Sequence, residues 1–175
     1  MPVLQDITGS LISEHIRRAV HEVFSTMLAR EAEFVAGGER VAGQAVVPAG
    51  GPAEGLQVVG TVGFVGDING LMYVYFAEDF ASLATRHLLG MSESELLAAG
   101  AEVVNDAIGE LTNMTVGSFK NGLCDAGYPC KLTIPTILRG RNLAIEPISS
   151  ARRHDFLFNC AGHRVAIEIL MKTGE

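Results

Sequence analysis

Residues 56–76 read LQVVGTVGFVGDINGLMYVYF. Two runs rich in Val, Tyr and Phe, Leu56 to Val65 and Leu71 to Phe76, flank Gly66-Asp67-Ile68-Asn69-Gly70, whose residues supply turn chemistry, so the stretch predicts a β-hairpin. Its neighbours decide the class. Upstream, Ile12, Ile16, Ala19, Val23 and Met27 recur with Val20, Phe24 and Leu28 beside them, the stripe of an amphipathic helix from Leu11 to about Arg30. Downstream, Phe80, Leu83, Ala84, His87 and Leu88 keep helical spacing up to Gly90, where a left-handed cap is expected. His87 on that stripe is expected to be packed rather than to ligate anything.

The second part of the chain repeats this order. Ser92-x-x-Glu95 has capping-box spacing and opens a long helical pattern whose apolar line runs Leu97, Val104, Ile108 and Leu111 toward Phe119 and Leu123, with Gly122 and Gly127 marking its end. Strand-like runs follow at Lys131 to Leu138, Leu143 to Ile148, Asp155 to Cys160 and Arg164 to Met171, the last two joined at Ala161-Gly162-His163. Residues of about 11–90 and 95–172 therefore form a weak pseudo-repeat, each half starting with a helix and finishing with a hairpin. The expected fold is α+β, an antiparallel sheet covered on one face by amphipathic helices. The Gly- and Pro-rich segment from Ala36 to Gly55 predicts a loop with one possible strand near Arg40 to Val47.

Bulk properties narrow the function. A chain of 175 residues, nearly half hydrophobic, is the size of one domain spanning 1–175 and can bury a core unaided. The N-terminus lacks the basic start and apolar run of a secretory signal, and apolar stretches are too short to span a bilayer, so a cytoplasmic location without membrane association is expected. Cys124, Cys130 and Cys160 lack C-x-x-C spacing and are expected to be buried reduced thiols. A net charge of −7 argues against a nucleic-acid partner. Arg139, Arg141, Arg152 and Arg153 are the local exceptions, expected at solvated loop ends.

One constellation carries chemistry. Opposite the apolar line of the long helix lie Glu102, Asp106, Glu110, Asn113 and Gly117, spaced three or four apart and so stacked on one side. A solvated polar face is the plain explanation. Against it, Asn113 sits mid-helix, where Asn competes for backbone hydrogen bonds, and Gly109 and Gly117 each cost about 1 kcal/mol relative to Ala. Glycines there leave a bare surface for close docking beside a projecting amide and carboxylate, or serve helix packing.

The run Asn105-Asp106-Ala107-Ile108-Gly109-Glu110-Leu111-Thr112-Asn113, with Gly117 and with Pro135 inside Leu132-Thr133-Ile134-Pro135-Thr136, resembles the signature of the CheC, CheX and FliY family of chemotaxis phosphatases. That pattern is an acidic residue or Ser, Glu four positions on, Asn three further and a proline some twenty residues later, here Asp106, Glu110, Asn113 and Pro135. The resemblance implies a phosphatase acting on the aspartyl-phosphate of a CheY-type receiver domain. Asn113 would orient the attacking water, Glu110 would pair with the receiver's lysine, and Asp106, Gly117 and Pro135 would line the partner surface. No metal or cofactor is implied on this chain, because the Mg2+ belongs to the receiver. The first helix has no Glu-x-x-Asn, so one site is expected, as in CheX rather than CheC.

The resemblance also implies a homodimer with sheets joined across a two-fold axis. Arg164 to Met171 is a long apolar run that would need covering at an open edge, with the core as its other destination. The competing function is a non-enzymatic receiver-binding or flagellar-switch scaffold of the same fold. Other enzyme classes lack support: there is no G-x-S-x-G elbow, phosphate-binding loop or dinucleotide fingerprint.

Overall fold

A computed structural model describes residues 8–40, 55–141, 143 and 151–173. Helix α1 (Gly9–Leu28) is N-capped by Thr8, whose hydroxyl accepts from the Leu11 amide, and buries Ile12, Ile16, Val20, Phe24 and Leu28 as the stripe requires. Strand β1 (Ala32–Glu39) follows, then β2 (Leu56–Gly66), β3 (Ile68–Ala77) and α2 (Glu78–Leu89), which ends at Gly90 in the left-handed conformation. In the second half come α3 (Glu93–Ala99), α4 (Ala101–Asp125), β4 (Cys130–Leu132), β5 (Thr136–Arg141), β6 (Arg152–Cys160) and β7 (His163–Thr173).

The seven strands form one antiparallel sheet in the order β1-β6-β7-β3-β2, with β4 and β5 in tandem along the outer side of β2. Exchanging β1 with β4–β5, β2 with β6 and β3 with β7 maps the order onto its own reverse. The two halves thus share a topology, and they interlock: the edge strand of each pairs with the hairpin of the other.

Alternation along the strands sends Val58, Val62 and Phe64 of β2, Met72, Val74 and Phe76 of β3, Phe156 and Phe158 of β6 and Val165, Ile167 and Ile169 of β7 into one core with the stripes of α1, α2 and α4. Three rings stack through its centre, Phe76 on Phe80 at 5.7 Å and Phe80 near Phe24 at 6.4 Å.

Several expectations are corrected. The run Arg164 to Met171 is no edge: β7 lies between β6 and β3 and pairs with both, so its apolar row fills the core. The helix expected to start at Ser92 is two helices. Ser92 does cap α3, accepting from the Glu95 amide, but Gly100 at φ 87° breaks the path before α4, and Leu97 is left 78% exposed. Strand β1 extends into the segment read as loop, taking up Ala36 to Glu39, while most of Arg40 to Val47, and Leu143 to Ile148 beyond its first residue, lie outside the described residues. His87 is exposed rather than packed. The arginines belong to strands: Arg152 forms a two-point ion pair with Glu39, and half-buried Arg153 reaches Asp155 at 3.1 Å and Glu168 at 2.6 Å. Cys130 and Cys160 are buried and Cys124 is half-buried, all without disulfides.

His154 points into the core from β6 with no exposed surface, and neither ring nitrogen has a hydrogen-bond partner among the described residues. Burial lowers its pKa to about 4, against the opposing pull of Glu39 and Asp155. Unfolded, the imidazole takes up a proton near pH 6.5; folded, it resists until about pH 4. Its contribution to stability is therefore complete above pH 6.5 and is lost as pH falls toward 4. Denaturant midpoints should drop between pH 7.5 and 5, and His154→Leu should flatten that slope.

Candidate functional site

Helix α4 places one long side toward the sheet and one toward solvent. Val104, Ile108, Leu111, Thr115, Val116, Phe119 and Leu123 are buried, while Glu102, Asp106 and Glu110 are exposed and Asn113 and Gly117 are half-buried. The structure thus brings Asp106, Glu110, Asn113 and Gly117 onto one accessible face, with Glu110 and Asn113 separated by less than a turn, about 5–6 Å between Cβ atoms.

The helix is held close to the sheet at that turn. A Cβ on Gly60 of β2 would come within 2.8 Å of the Thr112 Cβ and nearer still to its hydroxyl oxygen, so glycine is what lets Thr112 lie against the strand. The same hydroxyl donates to the Ile108 carbonyl at 2.7 Å, which fixes its rotamer. Because Thr112 immediately precedes Asn113, this contact sets the height of the polar face over the sheet. Gly60→Ala should force the helix outward, lowering the melting temperature by several degrees as overpacked core sites do. Thr112→Ser in the same chain should recover only part of the loss, since the Cβ stays in place.

Sideways, α4 is tied to the sheet edge. From β5, Arg139 donates to the Asn105 side chain at 2.5 Å and to the Ala101 carbonyl at 3.4 Å, pinning the first turns of the helix. The positions of Gly109 and Gly117 are also filled from the edge: Ile137 of β5 lies 3.9 Å from a Cβ built on the first, and Leu132 of β4 lies 3.8 Å from one built on the second. Both glycines therefore face the edge strands, at distances where a Cβ would make only ordinary contact, so packing there does not itself require glycine.

Between Leu132 and Thr136 the edge is interrupted. Thr61 faces Thr136 and Phe64 faces Leu132, so Thr133, Ile134 and Pro135 stand against Val62 and Gly63. This extra residue is a bulge. Thr133 holds its near side, exchanging hydrogen bonds with Gly63 through backbone and hydroxyl at 2.8 Å each. Pro135, half-buried, cannot donate to the ladder, which places the break. It falls in the edge segment between Leu132, level with Gly117, and Ile137, level with Gly109, the stretch of α4 that includes Asn113. Sequence reasoning missed Gly60, Thr112, Asn105 and Arg139 as supports of this face. The Gly inside an otherwise β-rich run was the available signal.

Chemically, the face offers the carboxylates of Asp106 and Glu110 and, at Asn113, a neutral amide that both donates and accepts. Among the described residues no group of three or more His, Cys, Asp and Glu could hold a metal ion. No described helix is long and apolar enough to cross a membrane.

Comparison with known proteins bears on this arrangement. The sequence model of a family described as chemotaxis phosphatase CheX matches residues 58–159, which include all five site residues. A protein from Thermotoga maritima named CheY-P phosphatase CheX is 32% identical over 108 residues, 57% of this chain and 67% of that one. In structure, a chemotaxis protein CheX from Desulfovibrio desulfuricans superposes with a TM-score of 0.75 at 21% identity, covering 92% of this chain and 99% of the other. The CheX of a CheX–CheY–BeF3–Mg2+ complex from Borrelia burgdorferi gives 0.70 at 19% identity over 92% and 97%. At those identities the two structures speak to the fold.

Proposed function

The chain belongs to the chemotaxis phosphatase CheX family, and from that premise we propose that it dephosphorylates a CheY-type response regulator, with Asn113 acting on the attacking water and Glu110 holding the receiver. The observation that carries this reading is the pairing of an accessible amide and carboxylate on a helix face that Arg139, Thr112 and the edge strands hold rigid. Phosphoryl transfer asks mainly for positioning and charge stabilisation. The Asn113 carbonyl accepts from the water while its NH2 donates toward a phosphoryl oxygen, so the oxygen lone pair points at phosphorus. As the new P–O bond forms, the bond to the aspartate carboxylate breaks. Inorganic phosphate leaves, the receiver regains a free carboxylate, and the water's proton goes to the products. The Mg2+ is the receiver's own and supplies charge neutralisation there.

Glu110 brings a negative charge to a partner surface that is itself anionic, so it needs a cation opposite; a lysine of the receiver beside the phosphoryl group meets that need. Asp106 and Gly117 extend the contact along the helix, and Pro135 flanks it. Purified protein added to a phosphorylated receiver should hasten release of inorganic phosphate. Binding without any acceleration would instead support a scaffold.

A homodimer remains part of the proposal on different ground from the apolar strand. The outer side of β1 is unpaired among the described residues and carries Val35 at 55% exposure, whereas the opposite edge flanks the phosphatase face. Pairing β1 with its copy would close that edge and leave both sites open. Sedimentation at micromolar concentration should give twice the chain mass.

A further inference from the structure

Ile134 is 86% exposed, the most exposed large hydrophobic side chain among the described residues. We infer that Ile134 is a hydrophobic anchor for the receiver domain, seated against apolar surface at the rim of the receiver's phosphoryl pocket while Asn113 enters the pocket itself. This inference rests on the receiver-phosphatase reading above.

The placement comes from the sheet edge. Ile137 packs at the level of Gly109 and Leu132 at the level of Gly117. Those glycines are about 12 Å apart along the helix axis, and the segment from Thr133 to Thr136 spans the interval, passing the turn of Asn113. A regular edge strand would have alternated through this interval with Ile134 tucked on one face or the other. The three-against-two bulge instead ejects it from the ladder.

The backbone that carries the ejected residue is held, not loose. Thr133 is fixed to Gly63 on one side by two hydrogen bonds, and Thr136 pairs with Thr61 on the other. Pro135 restricts Ile134 itself to extended backbone. A rigid, desolvatable aliphatic group beside a polar pair has the composition of an interface centre: the polar groups give register and the apolar one gives affinity. Asp106, unlike Glu110, has no proposed cation opposite it and repels an anionic partner, and an uncharged anchor adds attraction that this repulsion does not weaken. The anchor touches no reacting atom, so it acts on binding.

The test separates binding from turnover. Using a receiver that the parent protein dephosphorylates, Ile134→Ala should raise the Kd for the beryllofluoride-loaded receiver about tenfold, the loss expected from removing most of a buried aliphatic side chain. KM should rise in parallel while kcat at saturating receiver stays within about twofold. Ile134→Asp should weaken binding further, and Ile134→Leu should restore it. The melting temperature should not move, because the side chain packs against little. Unchanged affinity in both the Ala and Asp variants would overturn the anchor, as would a loss of self-association in place of receiver affinity. If Asn113→Ala abolishes activity in the same assay, the phosphatase reading survives that failure; if neither position matters, both fall together.

Discussion

Asn113→Ala is expected to lower receiver dephosphorylation by on the order of a hundredfold or more, the usual loss when one preorganised polar group at a reacting centre is removed. Nothing else about the protein should change much. Asn113 is half-buried on the outer face of α4, and among the described residues the core beneath it is built by Ile108, Leu111, Thr112 and Val116. Alanine is the better helix former by a few tenths of a kcal/mol, so the melting temperature should hold or rise slightly. Affinity for a beryllofluoride-loaded receiver should also hold, since Glu110 and the rest of the face are intact. Stopped assays of phosphate release, with binding measured in parallel, read both quantities. Parental activity in this variant would return the residue to the status of a solvated polar side chain.

Glu110→Lys should damage docking more than turnover. The carboxylate is exposed in the free protein, so reversal of its charge should leave stability within about 0.5 kcal/mol. On the proposed reading it faces a lysine of the receiver in the complex, and the variant would set two cations together at a desolvated contact. Breaking a close interfacial charge pair typically costs 2–5 kcal/mol, which corresponds to an affinity loss of roughly thirty- to several-thousandfold. Titration with the beryllofluoride-loaded receiver measures it. A receiver variant with the lysine changed to glutamate should recover part of the binding to Glu110→Lys, and an unchanged Kd for the single variant would remove Glu110 from the interface.

What could be seen in the sequence follows from how regular each element is. Helix α1 and the β2–β3 hairpin have strong periods, and in α1 nearly every residue of the named stripe is buried; in α2 the pattern found the helix, but of its named line only Phe80 and Ala84 are buried. Strand β1 was illegible because Gly37 and Gly38 dilute its alternation. Yet Gly37 is there for packing: its φ is 155° and a Cβ would sit 2.6 Å from the Phe156 ring. Ala99-Gly100-Ala101 passes for helix in any window, and only the positive φ of Gly100 reveals the break between α3 and α4. The polar pair of the site was legible because Glu110 and Asn113 lie on one uninterrupted helix, where spacing alone fixes facing. Ile134 was not. Its exposure depends on a count of residues between two ladders, and the run Leu132 to Leu138 gives no sign of which residue the bulge will eject. The supports from Gly60 and Arg139 were hidden for the same reason, being contacts between elements distant in sequence.

The interlocked sheet has a consequence for how the chain can acquire its structure. Glu39 at the end of β1 binds Arg152 at the start of β6, 113 residues later, and β3 finds its inner neighbour only in β7. As the polypeptide leaves the ribosome, the first half therefore emerges with β1 lacking any ladder and β3 paired on one side alone. Helix α1 and the β2–β3 hairpin can form early, but the core beneath them closes only after the last strand has been made. Long-range pairing of this kind slows folding and lengthens the time for which strand edges stay uncovered. A fragment ending before β6 should accordingly be a ward of chaperones or of proteases, since neither half holds the strands needed to finish its own sheet.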